Sequence, residues 1–67
     1  MKPSIGRIVH FVGGGLIHHA AIITEVFPDG HVDVEVFGNV TQRFRHGLLE
    51  NAEGSESGTW HWPERVD

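Results

Sequence analysis

A strict alternation of apolar and acidic residues between two turn sequences is the feature that most constrains the fold of this chain. In residues 32–36 (VDVEV) every second side chain is a valine and the others are carboxylates. In an extended strand the valines therefore share one face and the acids share the other. The segment is flanked by residues 28–30 (PDG) and 38–39 (GN). These sequences indicate turns, because proline presets one dihedral and glycine and asparagine tolerate positive φ. The pattern predicts a half-buried strand, spanning residues 31–37, between two hairpin turns.

The remaining apolar segments are short and separated by glycine, which predicts an all-β fold. Glycines 13–15 form a turn, and segment 17–27 is apolar on both faces, as expected of a central or strongly bent strand. Segment 47–58 is polar and is predicted to be a loop, with one helical turn at Leu48 and Leu49. The other four strands are predicted over residues 7–12, 17–27, 40–45 and 59–62. Five short strands in one domain, residues 1–67, indicate a small antiparallel barrel like that of the Src-homology-3 (SH3) fold, or a rolled sheet.

Length and composition limit how the chain is stabilised and what it binds. A chain of 67 residues without cysteine has a small core and no disulfide, so we expect a homo-oligomer that buries further apolar surface. The formal net charge of -4 argues against general binding to nucleic acid. Charged and histidine residues interrupt the apolar segment 8–27, which excludes a membrane span there. With no signal peptide recognised, the expected location is the cytosol.

Six histidines in so short a chain raise the question of a metal centre. Zinc requires three or four ligands that converge on one point. His18 and His19 are adjacent and would point to opposite faces of a strand, and the sequence contains no His-x-His pair. We therefore expect no metal site and no cofactor, and we interpret the histidines as surface or pH-sensitive groups.

Catalytic residue patterns are missing from the sequence. The chain has no cysteine, and its serines lie in the N-terminal segment and the polar loop rather than in a nucleophile turn. Asp33 and Glu35 have the spacing of a carboxylate pair, but a solvated hairpin face is the simpler interpretation. Glycines 13–15 precede no Lys-Ser/Thr pair and no helix, so they are not a phosphate loop. The expectation is a protein that is not an enzyme.

The arginines and aromatic residues of the last two predicted strands form the best candidate for a binding site. Arg43 and Arg45 share one strand face, and guanidinium groups bind phosphate through paired hydrogen bonds. Trp60 and Trp62 share one face of the last strand and His61 points the other way, so either side offers a ring for stacking a base. Alternatively, one or both indoles close the core. The predicted ligand-binding set, at or near a subunit junction, is Arg43, Arg45, Trp60, His61 and Trp62, with hydrogen bonds from His18 and His19.

Three segments resemble a family of short proteins found in tailed phages, prophages and viral metagenomes. These are 4–10 (SIGRIVH), 20–26 (AAIITEV) and the more specific terminal motif 58–64 (GTWHWPE). The resemblance spans most of the chain apart from the third and fourth strands and the glutamate-rich loop. It implies a phage accessory protein with a small β fold, and it assigns no activity to individual residues.

Three functions are compatible with these features. The first is a non-enzymatic, oligomeric protein that sequesters a small nucleotide-like anion, such as an immune signal of the host, in the host cytoplasm. The second is a virion component that decorates the capsid or connects its parts. The third is an inhibitor that binds a host protein through its acidic residues Asp33, Glu35, Glu50 and Glu53.

Overall fold

The computed structural model of the protein describes residues 2–63, and these form a five-stranded antiparallel sheet that curls into a half-barrel. The strands are β1 (Ile8–Val12), β2 (His18–Val26), β3 (Val32–Val36), β4 (Phe44–Leu48) and β5 (Thr59–His61). Their order across the sheet is β4-β3-β2-β1-β5. Within the described residues the only helical segment is a 3-10 turn, Gly14–Leu16, in the glycine-rich connection between β1 and β2. The predicted all-β fold is confirmed.

The hydrophobic core lies on the concave side of the sheet, which we call the core face. The three valines of β3 are 0–1% exposed there, as their alternation predicts. They pack with residues of every other strand: Val9, Phe11, Ala21, Ile23, Leu48 and Trp60. Burial of a side chain of this size contributes roughly 1.5–3 kcal/mol, so the core face holds the sheet in its curled form.

The other side of the sheet, which we call the outer face, is formed by the alternate residues of the same strands. Directly paired residues of neighbouring strands lie on the same face. Ile8 pairs with Ile22, Ile22 with Glu35, and His10 with His61, so all of these belong to the outer face. Its main side chains are those of Ile8, His10, His18, Ile22, Phe44 and His61.

β2 is the middle strand of the sheet, which explains its apolar residues on both faces. Ala21 and Ile23 are buried in the core, whereas Ile22 lies half-buried on the outer face. The register with β3 shifts between Ile23 and Glu25. The alternative of a central strand is therefore confirmed for this segment.

The predicted turn at residues 28–30 is present; at the second predicted turn, residues 38–39, the chain bends, but the fourth strand begins later than predicted. Gly30 and Gly38 adopt φ values of 95° and 108°, which glycine accepts without steric cost. The prediction of a strand over residues 40–45 is wrong in its bounds, because residues 37–43 form an irregular connection with bends and regular pairing starts at Phe44. Val40 packs against the core from this connection, which explains its apolar character without a strand.

The segment after β4 pairs with β5 and narrows the open side of the half-barrel. The backbone N–H of Trp60 donates to the carbonyl of Leu49 at 3.1 Å, and that of Asn51 donates to the carbonyl of Trp60 at 2.8 Å. Leu48 is the last residue of β4 and is buried, so the predicted helical turn at Leu48 and Leu49 is wrong. None of the helical residues among positions 2–63 belongs to a helix long and apolar enough to cross a membrane.

Candidate functional site

The predicted binding residues do not form one site, because the sheet separates them. Arg45 pairs with Val34 of the core face, and His19 pairs with Phe11 on that same side. His18 and His61 lie on the outer face. His18 and His19 thus point to opposite faces as predicted. Arg45 and His19 belong to one surface, and His18 and His61 belong to the other.

The core-face group forms a groove at one end of the half-barrel. The guanidinium carbon of Arg45 lies 4.9 Å from the centre of the Phe11 ring, within the range of a cation–π contact. The His19 ring is stacked against Phe11, with ring centroids 6.4 Å apart and an angle of 26° between the planes. We call this the Arg45 groove; it has a volume of about 330 Å³, at the lower end of the range for small-ligand sites.

The lining of the Arg45 groove is polar and free of acidic residues. A connection between β3 and β4 contributes Asn39, Thr41 and Gln42, and the amide oxygen of Gln42 accepts a hydrogen bond of 3.3 Å from Arg45 Nη1. The remaining lining residues are Phe11, Gly13, Gly14, Ile17, His19, Val40 and Arg45. In a chain of net charge -4, the lining of this groove carries one permanent positive charge and no carboxylate.

Trp60 and Arg43 are not available to this groove. Pairing with Phe11 places Trp60 on the core face, where it is 1% exposed; the prediction of a ligand-stacking role for Trp60 is therefore wrong, and the alternative of a core indole is confirmed for it. Arg43 is exposed and precedes β4, and it is not among the lining residues of the groove.

Trp62 lies half-buried at the edge of the core. Its ring meets that of Trp60 edge to face, with centroids 5.4 Å apart. The Arg7 guanidinium lies 5.4 Å from the centre of the Trp62 ring. Trp62 therefore extends the core to the surface. It contacts the Arg7 guanidinium and is not part of the Arg45 groove.

Three histidines converge on the outer face, and we call them the histidine cluster: His10 of β1, His18 of β2 and His61 of β5. The ring centroids of His18 and His61 are 4.8 Å apart, those of His10 and His61 5.3 Å, and those of His10 and His18 6.2 Å. Each histidine contributes one ring nitrogen to a set of three, and these three nitrogens lie within 4.8 Å of one another. His61 was predicted as a stacking wall for a ligand held by the arginines; this is wrong, because it lies on the other side of the sheet and is 4% exposed.

The loop between β4 and β5 covers the histidine cluster. Gly54 is buried, and a Cβ atom added to it would lie 2.8 Å from Cε1 of His18 and 3.0 Å from Cε1 of His61. Asn51 holds the loop in this position, because its Oδ1 accepts hydrogen bonds from the backbone N–H groups of Glu53 and Gly54 at 3.2 and 3.1 Å. The sequence places glycine where the loop touches the imidazoles.

Two acidic residues of the β3 hairpin, Asp29 and Asp33, have structural partners. Asp33 accepts a hydrogen bond of 2.9 Å from the backbone N–H of Gly47, and its other oxygen lies 3.2 Å from Nδ1 of His46. The Gly47 hydrogen bond is the main reason that the pKa of Asp33 is lowered, and His46 adds to it. Asp29 is held likewise by the backbone N–H and imidazole of His31, which lower its pKa. Asp29 thus stabilises the β2–β3 turn, and Asp33 connects β3 to β4.

No family model, curated protein or solved structure matches this chain. The similarity of segments 4–10, 20–26 and 58–64 to phage proteins thus stays a sequence-based expectation, and Glu64 lies outside the described residues.

Two residues of these surfaces were missed in the sequence. Phe11 was not among the predicted binding residues, although it contacts Arg45 and His19 in the groove. His10 was considered only as one of six histidines, and the argument about metal ligands compared neighbours along the chain. Pairing across strands would have revealed the cluster, since His10 is directly opposite His61 and His18 is opposite Val12, two positions along β1.

Proposed function

We propose that this protein is a non-enzymatic, phage-type binding protein that sequesters a small anionic, nucleotide-like ligand in the Arg45 groove. The observation that carries the proposal is the Arg45 guanidinium, stacked 4.9 Å over Phe11 in a groove whose lining has no carboxylate. The phage origin, and with it action in the host cytoplasm, rests on the similarity of three segments to phage accessory proteins.

The chemistry of the groove favours a ligand that combines a phosphate with a flat ring. Arg45 is half-buried and already oriented by Gln42 and Phe11, so little side-chain freedom is lost when it binds an anion. Imidazole and guanidinium planes are surfaces on which bases stack, and His19 and Arg45 provide both. Asn39, Thr41 and Gln42 supply hydrogen-bond donors and acceptors for the polar edge of a base or sugar.

Equilibrium binding to a panel of cyclic and linear nucleotides, with inorganic phosphate as reference, tests this function. We expect at least one nucleotide to bind, and Arg45→Ala to weaken its binding by at least about tenfold, because a hydrogen bond to a charged group contributes roughly 1.5–3 kcal/mol. Arg43→Ala is the matched control: it removes an exposed arginine outside the groove and should leave the affinity unchanged. Absence of binding to every nucleotide, or equal loss in both variants, would refute the proposal.

Self-association is part of the proposal and is supported by the outer face. Ile8, Ile22 and Phe44, which we call the apolar row, belong to one line of paired residues across four strands, in which Glu35 of β3 lies between Ile22 and Phe44. Ile8 and Phe44 are 48% and 62% exposed. Exposed apolar side chains grouped on one face of so small a chain favour a subunit interface. This surface would also serve a virion component, for which detection of the protein in purified particles is the decisive measurement.

A further inference from the structure

We propose that the histidine cluster, His10, His18 and His61, is a binding site for a divalent transition-metal ion, with Zn²⁺ as the reference ion. The site lies on the outer face, whereas the Arg45 groove opens on the core-face side of the sheet. The proposal is therefore independent of the proposed function, and either can fail without the other.

The topology of the sheet creates the site. β1 lies between β2 and β5, so a residue of β1 has neighbours on both sides. His10 is paired directly with His61, and His18 is paired with Val12, the next residue of β1 on the same face. Each of three strands thus contributes one imidazole to a single point on the outer face.

The distances within the cluster are close to those of a coordinated ion. Zn–N bonds of roughly 2.0–2.1 Å in a tetrahedral site place ligand nitrogens about 3.3 Å apart. One ring nitrogen from each histidine lies within 4.8 Å of the other two, so side-chain rotations that bring these nitrogens about 1.5 Å closer complete the geometry. His18 is exposed and His10 is half-buried, whereas His61 is buried, so the rotations involve mainly the first two side chains.

The donor set selects the class of ion. Three imidazoles without a thiolate suit Zn²⁺, Cu²⁺ or Ni²⁺, whereas Mg²⁺ and Ca²⁺ prefer oxygen ligands. Three protein ligands leave a fourth coordination position open, which water or a small anion fills. Gly54, packed on the Cε1 atoms of His18 and His61, shields one side of the site with backbone rather than with a competing side chain.

A bound ion would act as a staple for a chain that has no disulfide. It would join β1 and β2 to β5, and it would fix the histidines on which the β4–β5 loop rests. Metal that binds only the folded chain stabilises it by mass action. At free Zn²⁺ one hundred times the Kd, the midpoint of thermal unfolding should rise by roughly 10–20 °C for a domain of this size.

The test is a titration of the chelator-treated full chain with Zn²⁺ against a chromophoric competitor, together with thermal melts. We expect one ion per chain, the rise in midpoint given above, and visible absorption bands of four-coordinate Co²⁺. His18→Gln should weaken Zn²⁺ binding by at least about 100-fold, because loss of a group that only supports a metal ligand already costs about 10–100-fold. Without metal, the melting midpoint of this variant should stay close to that of the unsubstituted chain. His10→Gln serves as the second variant if His18→Gln does not fold.

His19→Gln is the matched control, because His19 adjoins His18 in sequence and lies on the other side of the sheet. It should retain the affinity and the stoichiometry of the unsubstituted chain. A chain that does not bind Zn²⁺, or cluster variants whose affinity equals that of His19→Gln, would overturn the proposal.

Discussion

The two tryptophans, two positions apart in the sequence, contribute differently to the protein. Trp60 is 1% exposed and packs among core residues of the other strands. Trp62 packs against it edge to face and remains half-buried. The difference comes from position in β5, since Trp60 is paired with Phe11 within the sheet whereas Trp62 follows the last paired residue.

Replacing each tryptophan with alanine should separate these roles. Trp60→Ala should cost roughly 3–5 kcal/mol, the usual loss for a large aromatic core residue. This equals the whole stability expected of so small a core, so the variant should be unfolded in its far-ultraviolet circular dichroism spectrum at 25 °C. Trp62→Ala should remain folded with a lower melting midpoint, because part of its ring is exposed in the folded state. Equal melting midpoints for the two variants would contradict this assignment.

At the level of single residues, the sequence predicts which face a side chain lies on but not what it meets there. Alternation correctly separates His61 from the two tryptophans and His18 from His19. It does not reveal that His10, His18 and His61 meet, because that contact depends on the register of three strands that are distant in the sequence. It also does not show that Arg45, rather than Arg43, reaches Phe11, since this depends on where β4 begins.

The β3–β4 hairpin illustrates which elements the sequence can define. The valine alternation and the two turn sequences locate β3 within one residue at each end. β4 lacks such a pattern: Gly47, with φ 65°, interrupts it, and its register with β3 shifts between Val32 and Val34. The hydrogen bond from Gly47 to Asp33 connects the strands at this irregular point, and no local pattern in the sequence predicts it.

This connection should make the stability of the hairpin depend on pH. The pKa of Asp33 is lowered in the folded state, mainly by the Gly47 N–H, so folding favours the carboxylate form. The stabilisation is therefore fully present above the ordinary pKa of the carboxyl group, and it is lost as the pH falls through the lowered pKa. Asp33→Asn should melt at a lower temperature than the unsubstituted chain at pH 7, and the difference should shrink below about pH 4.

Thermal melts from pH 7 to about pH 2 measure this dependence. His46→Ala is the informative control, because it removes the smaller cause and keeps the Gly47 hydrogen bond. At pH 7 the melting midpoint of His46→Ala should therefore stay well above that of Asp33→Asn. A pH profile of Asp33→Asn that runs parallel to that of the unsubstituted chain would show that the Asp33 hydrogen bond does not stabilise the fold.

In the whole molecule, the two sides of one curled sheet present different chemistry. The Arg45 groove opens on the core-face side, and the histidine cluster and the apolar row lie on the outer face. This separation keeps the residues of the proposed ligand groove apart from those of the proposed metal site and the proposed subunit interface, which share the outer face. It also explains why one binding site could not be assembled from the predicted residues, which alternate between the two sides.

The apolar row predicts that the chain self-associates through its outer face. Phe44 is 62% exposed, and burying a phenylalanine contributes roughly 1.5–3 kcal/mol. A symmetric interface contains it twice, so Phe44→Ser should weaken dimerisation by at least about 100-fold. Sedimentation equilibrium should show a dimer or larger assembly for the unsubstituted chain, and a shift of Phe44→Ser toward the 7.4 kDa monomer. Phe27→Ser, which changes an exposed phenylalanine beside the β2–β3 turn, should associate like the unsubstituted chain. A monomer at every concentration of the unsubstituted chain would exclude this interface, and the isoleucines and Phe44 of the outer face would then remain in contact with solvent.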